Sequence, residues 1–417
     1  MALDDDGHEA ERLPWQVAVP RAGRGQWEPP LRPAHPGSDT VHASGTVPAR
    51  PRPRRNRGGR PPGRPSGRHG HMRATLLEDV GTIALREFPD PVIQRPTDAV
   101  VRVTASCICG SDLHPYRGKM PSVFPKRVGH EFVGVVEDVG DQVDTLRPGD
   151  VVVAPFLISD GTCRYCRAGL QTSCENGSVW GTDDGSGALS DACQGDRIRA
   201  PLADGTLVRV GTELPDALLP DVLALSDVMG TGHHAAVCAG VGPGCTVVVV
   251  GDGAVGLCAV LAARRLGAER VVAMSRTPSR QKLAAEFGAT DIVAGRGAEG
   301  IAQVRELLGD GADAVLECVG SQESLEQAVA VAHPGGRLGC VGAPLGNLPL
   351  NQLFMKNVRL AGGVAPVRAY LPELLDDVLA GRVRPGRIFD LELPLDEVAE
   401  GYRAMDERRA VKVLLRP

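Results

Sequence analysis

Residues 246–256 read Thr-Val-Val-Val-Val-Gly-Asp-Gly-Ala-Val-Gly and run on into Leu-Cys-Ala-Val-Leu-Ala-Ala-Arg-Arg-Leu. The β-branched run is a strand-sized apolar block of the kind buried on both faces of a parallel sheet. The Ala/Leu/Arg segment from Ala259 to Leu266 reads as helix. Between them lies G-x-G-x-x-G. Gly251 suits a tight turn, Gly253 lets the backbone approach a pyrophosphate, and Gly256 permits close packing of the helix. Glycine spacing alone is a weak signal. A strand before it and a helix after it, with Ala254 and Val255 at the helix start, make the stretch a predicted dinucleotide site, where helix N–H groups meet phosphate.

The same alternation extends outward from this stretch. Residues 226–365 alternate strands with Ala/Leu/Arg helices, which implies βαβ units around a doubly wound parallel sheet. The second strand, Arg270-Val-Val-Ala-Met, ends at Ser275, with Arg276 next and Arg280 one turn later. An NAD site places an acid here for the ribose hydroxyls, but Glu269 stands at the wrong end of the strand. A short hydroxyl beside two guanidinium groups suits a 2′-phosphate, so NADP is expected in preference to NAD.

Upstream, residues 72–225 read as short strands broken by Gly, Pro and Asp turns, such as Ala99-Val-Val-Arg-Val-Thr and Asp150-Val-Val-Val-Ala-Pro. A β-rich, barrel-like domain is expected there. Residues 366–417 contain a predicted helix, Leu371 to Ala380, then short strands ending in Val411-Lys-Val-Leu-Leu that should return to the β-rich domain. Residues 1–71 hold 12 of the 33 prolines, 12 arginines and seven acids, for a net charge of +5 against −10 in the remainder. With no apolar period, this segment is expected to be a disordered tail. Met72, just before the first strand-like pattern, is an alternative start.

The chain's 417 residues, 42% of them hydrophobic, supply material for about two domains, each with its own core. No run of 18 apolar residues suggests a membrane span, and a net charge of −5 leaves no footprint for nucleic acid. Eleven cysteines without a signal-peptide pattern fit reduced thiols in the cytoplasm.

Two short blocks gather metal-binding groups: Cys109-Gly-Ser111-Asp112-Leu-His114 and Gly129-His130-Glu131-Phe-Val-Gly134. Zinc favours thiolate and imidazole, and a catalytic site needs three protein ligands with one position left for substrate. Cys107 would share a strand face with Cys109, so spacing alone does not choose between them. A second cluster, Cys163, Cys166 and Cys174, has C-x2-C-x7-C spacing, which suits structural zinc.

Together these blocks resemble the zinc-containing alcohol dehydrogenases of the medium-chain dehydrogenase/reductase family, over about residues 73–417. The resemblance implies a GroES-like β-rich catalytic domain joined to a Rossmann-type domain, with the active site in the cleft between them. It implies Cys109 and His130 as catalytic zinc ligands and, from Leu225-Ser-Asp227-Val-Met-Gly-Thr-Gly, Asp227 as the third. Glu131 resembles the carboxylate that approaches the metal during water exchange, and Asp112 the one that orients the histidine. Ser111 and His114 resemble the relay that carries the alcohol proton to solvent. Asp160 stands where this lobe of the family has its first cysteine, implying a closed site of Asp160, Cys163, Cys166 and Cys174. The expected substrate is a small alcohol or aldehyde, and a homodimer or homotetramer is implied. A zinc-free quinone or enone reductase of the same fold is disfavoured by Cys109, His130 and the cysteine lobe. A non-catalytic zinc and nucleotide-binding protein would have no use for Ser111 and His114. The other cysteines, 193, 238, 245, 258, 318 and 340, read as buried structural thiols.

Overall fold

A computed structural model describes residues 70–181, 191–343 and 346–417. The expected tail therefore lies outside the described residues except at its end, where the first strand already begins at His71. Among the described residues, six parallel strands form one sheet in the order Asp291–Val293, Arg270–Met274, Thr246–Val250, Ala312–Glu317, Ala332–Cys340 and Arg359–Gly362. This is the doubly wound order, in which the strand preceding the glycine turn sits at the switch point. Val247, Val248 and Val249 are fully buried there, as a strand covered on both faces requires, each side chain contributing roughly 1.5–3 kcal/mol.

The second large sheet is mainly antiparallel. It runs through Val208–Gly211, Val151–Ala154, Phe132–Val139, Ala99–Cys107, Lys412–Arg416 and Phe389–Pro394, with Arg197–Ala200 also pairing Ala99–Cys107. The last two strands in sequence are thus built into the sheet of the first part of the chain. A smaller sheet joins Thr82–Pro89, His71–Asp79 and Lys126–Arg127.

Two expectations change. The predicted helix at Leu371 instead spans Val367–Leu379, with Pro372 tolerated inside it; the added first turn, Val-Arg-Ala-Tyr, contains the helix formers Arg368 and Ala369 and buries Val367. The cores are not separate either. One cluster joins Ala105, Val133 and Leu414 of the antiparallel sheet to Val228, Met229, Val247 and Leu257 of the parallel one. The connecting segment Leu219–Leu225 is almost wholly apolar and is buried between the two sheets, so the two halves are fused where the candidate site lies.

Candidate active site

Strand Ala99–Cys107 ends against the C-terminal strand, where Ile108 N–H donates to Val413 O at 3.1 Å. The chain then turns through a 3₁₀ segment, Gly110–Asp112. That turn separates the two cysteines. Cys107 is buried in the apolar core, whereas Cys109 joins a polar cluster. Asp112 closes the turn by accepting Cys109 N–H at 3.0 Å on Oδ2, an oxygen that also accepts from Gln194 Nε2 at 3.3 Å. Its other oxygen lies 3.4 Å from His130 Nδ1. His130 follows Gly129, whose φ of +102° favours glycine and where a Cβ would strike Gln194. Asp227 sits at the hinge between the 3₁₀ turn Ala224–Ser226 and helix Val228–Cys238. Thr231 Oγ donates to its Oδ1 at 2.7 Å.

These turns bring together residues far apart in sequence. Asp227 Oδ2 is 3.5 Å from Cys109 Sγ and 3.7 Å from His130 Nε2, and Glu131 Oε1 is 3.9 Å from the same nitrogen. One ligand atom from each of Cys109, His130, Glu131 and Asp227 lies within 4.8 Å of all the others. Because Asp112 faces Nδ1, Nε2 is the nitrogen left for the cluster, the usual arrangement of a metal-bound histidine.

The electrostatics ask for a cation. Burial pushes the Cys109 thiol up, and the Asp227 and Glu131 carboxylates push it further. Burial works against a charged His130, yet Asp112 and then Cys109 outweigh it and hold the imidazole pKa well above its ordinary value. Glu131 is fully buried; Lys412 Nζ donates to its Oε1 at 2.8 Å, while Oε2 has no partner among the described residues. A buried carboxylate oxygen with no donor is costly. A sulfur, a nitrogen and carboxylate oxygens converging there fit a divalent zinc-like ion. Sequence reasoning missed Lys412, which is 1% exposed. The signal was a lysine inside the apolar strand pattern Val411-Lys-Val-Leu-Leu. Gln194 and Tyr402, whose hydroxyl donates to Gln194 Oε1 at 3.1 Å, support Asp112 from behind and carried no comparable signal.

Ser111 is exposed on the turn and His114 is half-buried one step beyond. Burial lowers the His114 pKa, with a hydrogen bond to the Ala343 backbone opposing. The imidazole is therefore neutral near pH 7 and able to accept a proton.

In the second cluster, ligand atoms of Asp160, Cys163, Cys166 and Cys174 also lie within 4.8 Å of one another. Asp160 Oδ1 accepts Thr162 N–H at 2.7 Å and Cys163 N–H at 2.9 Å, while Oδ2 accepts from Asn176 at 2.7 Å. Burial raises the Cys166 thiol strongly, so a metal there would have to displace its proton. The donor set fits a closed tetrahedral ion. The remaining thiols are less uniform than expected. Cys193, Cys258 and Cys340 are buried, but Cys238, Cys245 and Cys318 are only partly so.

At the glycine turn, Gly251 has φ +117°, and a Cβ on Gly256 would run into the Gly251 carbonyl. Helix Ala254–Arg265 starts directly after Gly253, beside which there is open space. The arginine pair differs from its expected arrangement. Arg280 is turned onto Asp252, whose Oδ1 lies 3.4 Å from its Nη1, and Ser275 Oγ donates to Asp252 Oδ2 at 2.9 Å. Arg276 alone of the two is exposed without an ion pair among the described residues.

Comparisons with known proteins place the chain in a family. Residues 95–199 match the family described as alcohol dehydrogenase GroES-like domain, and residues 254–380 that described as zinc-binding dehydrogenase. Zinc-type alcohol dehydrogenase B of Aspergillus flavus is 35% identical over 355 residues, 83% of this chain and 81% of that protein. Alcohol dehydrogenase TADH from Thermus sp. ATN1 superposes with a TM-score of 0.74 at 38% identity, covering 82% of this chain and 99% of that one. A chain from Sinorhizobium meliloti 1021 solved bound to NADP gives a TM-score of 0.71 at 28% identity, covering 84% of this chain and 100% of that one.

Proposed function

The chain belongs to the zinc-containing alcohol dehydrogenases of the medium-chain dehydrogenase/reductase family, and we propose that it moves a hydride between a small alcohol or aldehyde and NADP(H). The observation that carries the reading is the meeting of Cys109, His130 and Asp227, with Glu131 behind them, where the two sheets share a core. Cys109, His130 and Asp227 would hold a catalytic zinc, and Asp160, Cys163, Cys166 and Cys174 a structural one. When bound, the catalytic zinc supplies a Lewis acid that lowers the pKa of the alcohol.

The protein's own groups do the rest. Asp112 fixes the tautomer of His130 by accepting at Nδ1. Ser111 takes the alcohol proton and His114, neutral near pH 7, passes it to solvent as the hydride leaves carbon for the nicotinamide. Gly251, Gly253, Ala254, Val255 and Gly256 present backbone to the pyrophosphate at the start of helix Ala254–Arg265. Ser275, Arg276 and Arg280 flank the adenosine ribose. The absence of an acid at Ser275, the exposed Arg276 and the NADP-bound relative support NADP over NAD. The exposed edge strand Arg359–Gly362 supports a homo-oligomer. Eleven free thiols support residence in the reducing cytoplasm.

The test is a panel of alcohols and aldehydes run with NADP and NAD, followed at the nicotinamide absorbance band, together with metal analysis. Alcohol-dependent reduction of NADP, with zinc in the protein, is expected. Zinc-replete protein with no response to any alcohol or aldehyde would overturn the enzyme reading.

A further inference from the structure

Strands Thr246–Val250 and Arg270–Met274 are parallel and in register, with Val250 beside Met274. The residues that follow them therefore emerge side by side, at the point where a dinucleotide's adenosine ribose is read. The second strand delivers Ser275 there and no acid. The carboxylate arrives from the first strand instead. Asp252 Oδ2 accepts from Ser275 Oγ at 2.9 Å, and Arg280 Nη1 reaches both Asp252 Oδ1 at 3.4 Å and the Asp252 carbonyl at 3.3 Å. Ser275 is 2% exposed and the Asp252 and Arg280 side chains 11% and 13%, so the three form a held, largely desolvated group. The residue between the two glycines is thus spent on the ribose end of the site rather than left facing solvent.

We propose that Asp252 is a specificity-determining residue of the nucleotide site, one that keeps NAD usable in a site otherwise equipped for NADP. The inference rests on reading the glycine turn as the nucleotide site. An acceptor oxygen that the first strand brings beside Ser275, at the end of the second, suits the 2′-hydroxyl of NAD. The same charge repels a 2′-phosphate, which carries about −1.5 to −2 at neutral pH, and it partly neutralises Arg280, leaving Arg276 as the guanidinium with charge to give. The balance between the cofactors is then a difference between one repulsive and one attractive element. Ser275 contributes by orienting Asp252.

Calorimetric titration of the full chain with NADP and with NAD tests this, using Asp252→Asn, Asp252→Ser and Arg276→Ala. Both Asp252 variants are expected to tighten NADP about tenfold and to weaken NAD a few fold, the scale of one like charge removed at close range. Arg276→Ala should shift the ratio the other way. If both Asp252 variants changed the two cofactors by the same factor, or weakened NADP, Asp252 would be a structural residue and the proposal would fall. The dehydrogenase reading fails separately. A chain whose NADP to NAD ratio moves as described but which oxidises no alcohol sinks that reading and leaves this one standing.

Discussion

At the scale of single residues, the candidate site is held by groups that touch no substrate. Asp112 is the first. It ties Cys109 N–H and His130 Nδ1 to one carboxylate, although burial opposes its charge; His130 and the Cys109 N–H outweigh that and keep its pKa below the ordinary value. Asp112→Asn keeps the shape and removes the charge, so zinc affinity should fall about 10- to 100-fold, read by competition with a chromophoric chelator; an unchanged affinity would remove Asp112 from this role. Lys412 is the second. Paired with Glu131 at 2.8 Å and with both side chains at or below 1% exposure, it faces the asymmetry of buried pairs, in which losing one partner costs far more than losing both. Lys412→Met should destabilise metal-stripped protein by about 3 kcal/mol, and adding Glu131→Gln should restore much of that. Equal losses in the single and double variants would contradict it. Sequence legibility follows the same line. Cys109, His130 and Asp112 stand in two compact blocks whose chemistry can be read directly. Asp227 lies 118 residues from Cys109, and only resemblance pointed to it, since proximity across that span is created by the fold.

Elements carry the next set of consequences, and helix Val228–Cys238 shows why some were illegible. It reads Val-Met-Gly-Thr-Gly-His-His-Ala-Ala-Val-Cys, with two glycines and no clear amphipathic stripe, because nearly every face is buried between the two sheets. Both glycines allow close approach: a Cβ on Gly230 would meet Val367, and one on Gly232 would meet the backbone of Ala259. His233, 3% exposed, packs edge-on against Tyr370 at 4.9 Å. Burial first, and then Arg265, lower its pKa from 6.5 to about 4, with His234 adding slightly and Glu373 and Asp377 opposing. The sign follows. Above pH 6.5 His233 is neutral in both folded and unfolded chains and its contribution is complete. Between 6.5 and about 4 the unfolded chain takes up the proton and the folded one does not, so stability falls with pH. The loss attached to this residue is about 2 kcal/mol between pH 7 and pH 5. Denaturant titrations at the two pH values should show a smaller drop for His233→Phe than for the unaltered protein; equal drops would mean that His233 titrates alike in the folded and unfolded chains. The valine strand and its glycine turn, by contrast, were legible in full, since a strand buried on both faces and a turn needing positive φ leave few residues to choose from.

For the molecule as a whole, the doubly wound sheet and the β-rich sheet were each readable from period and punctuation, but their shared core was not, because nothing in a local pattern says which apolar faces meet. One apolar surface is left without a neighbour among the described residues. Strand Arg359–Gly362 pairs with Ala332–Cys340 along one side only, and all four of its residues are exposed. Helix Leu350–Lys356, just before it, carries Leu350, Phe354 and Met355 at 67%, 79% and 70% exposure, and Val364 beyond the strand is 64% exposed. An open strand edge flanked by large apolar side chains is a liability in a monomer, and soluble proteins ordinarily blunt such edges with charge or cover them. Covering it with a second copy of the chain pairs the free backbone groups and buries the apolar flank in one step, and a two-fold arrangement closes without propagating. The 43.8 kDa chain should therefore sediment at a multiple of its own mass. Leu360→Lys with Phe354→Glu, which place charges on the edge and its flank without entering either core, should release monomers at the same concentration while the cofactor still binds. A monomeric unaltered protein would refute the assignment, as would a variant that keeps its mass.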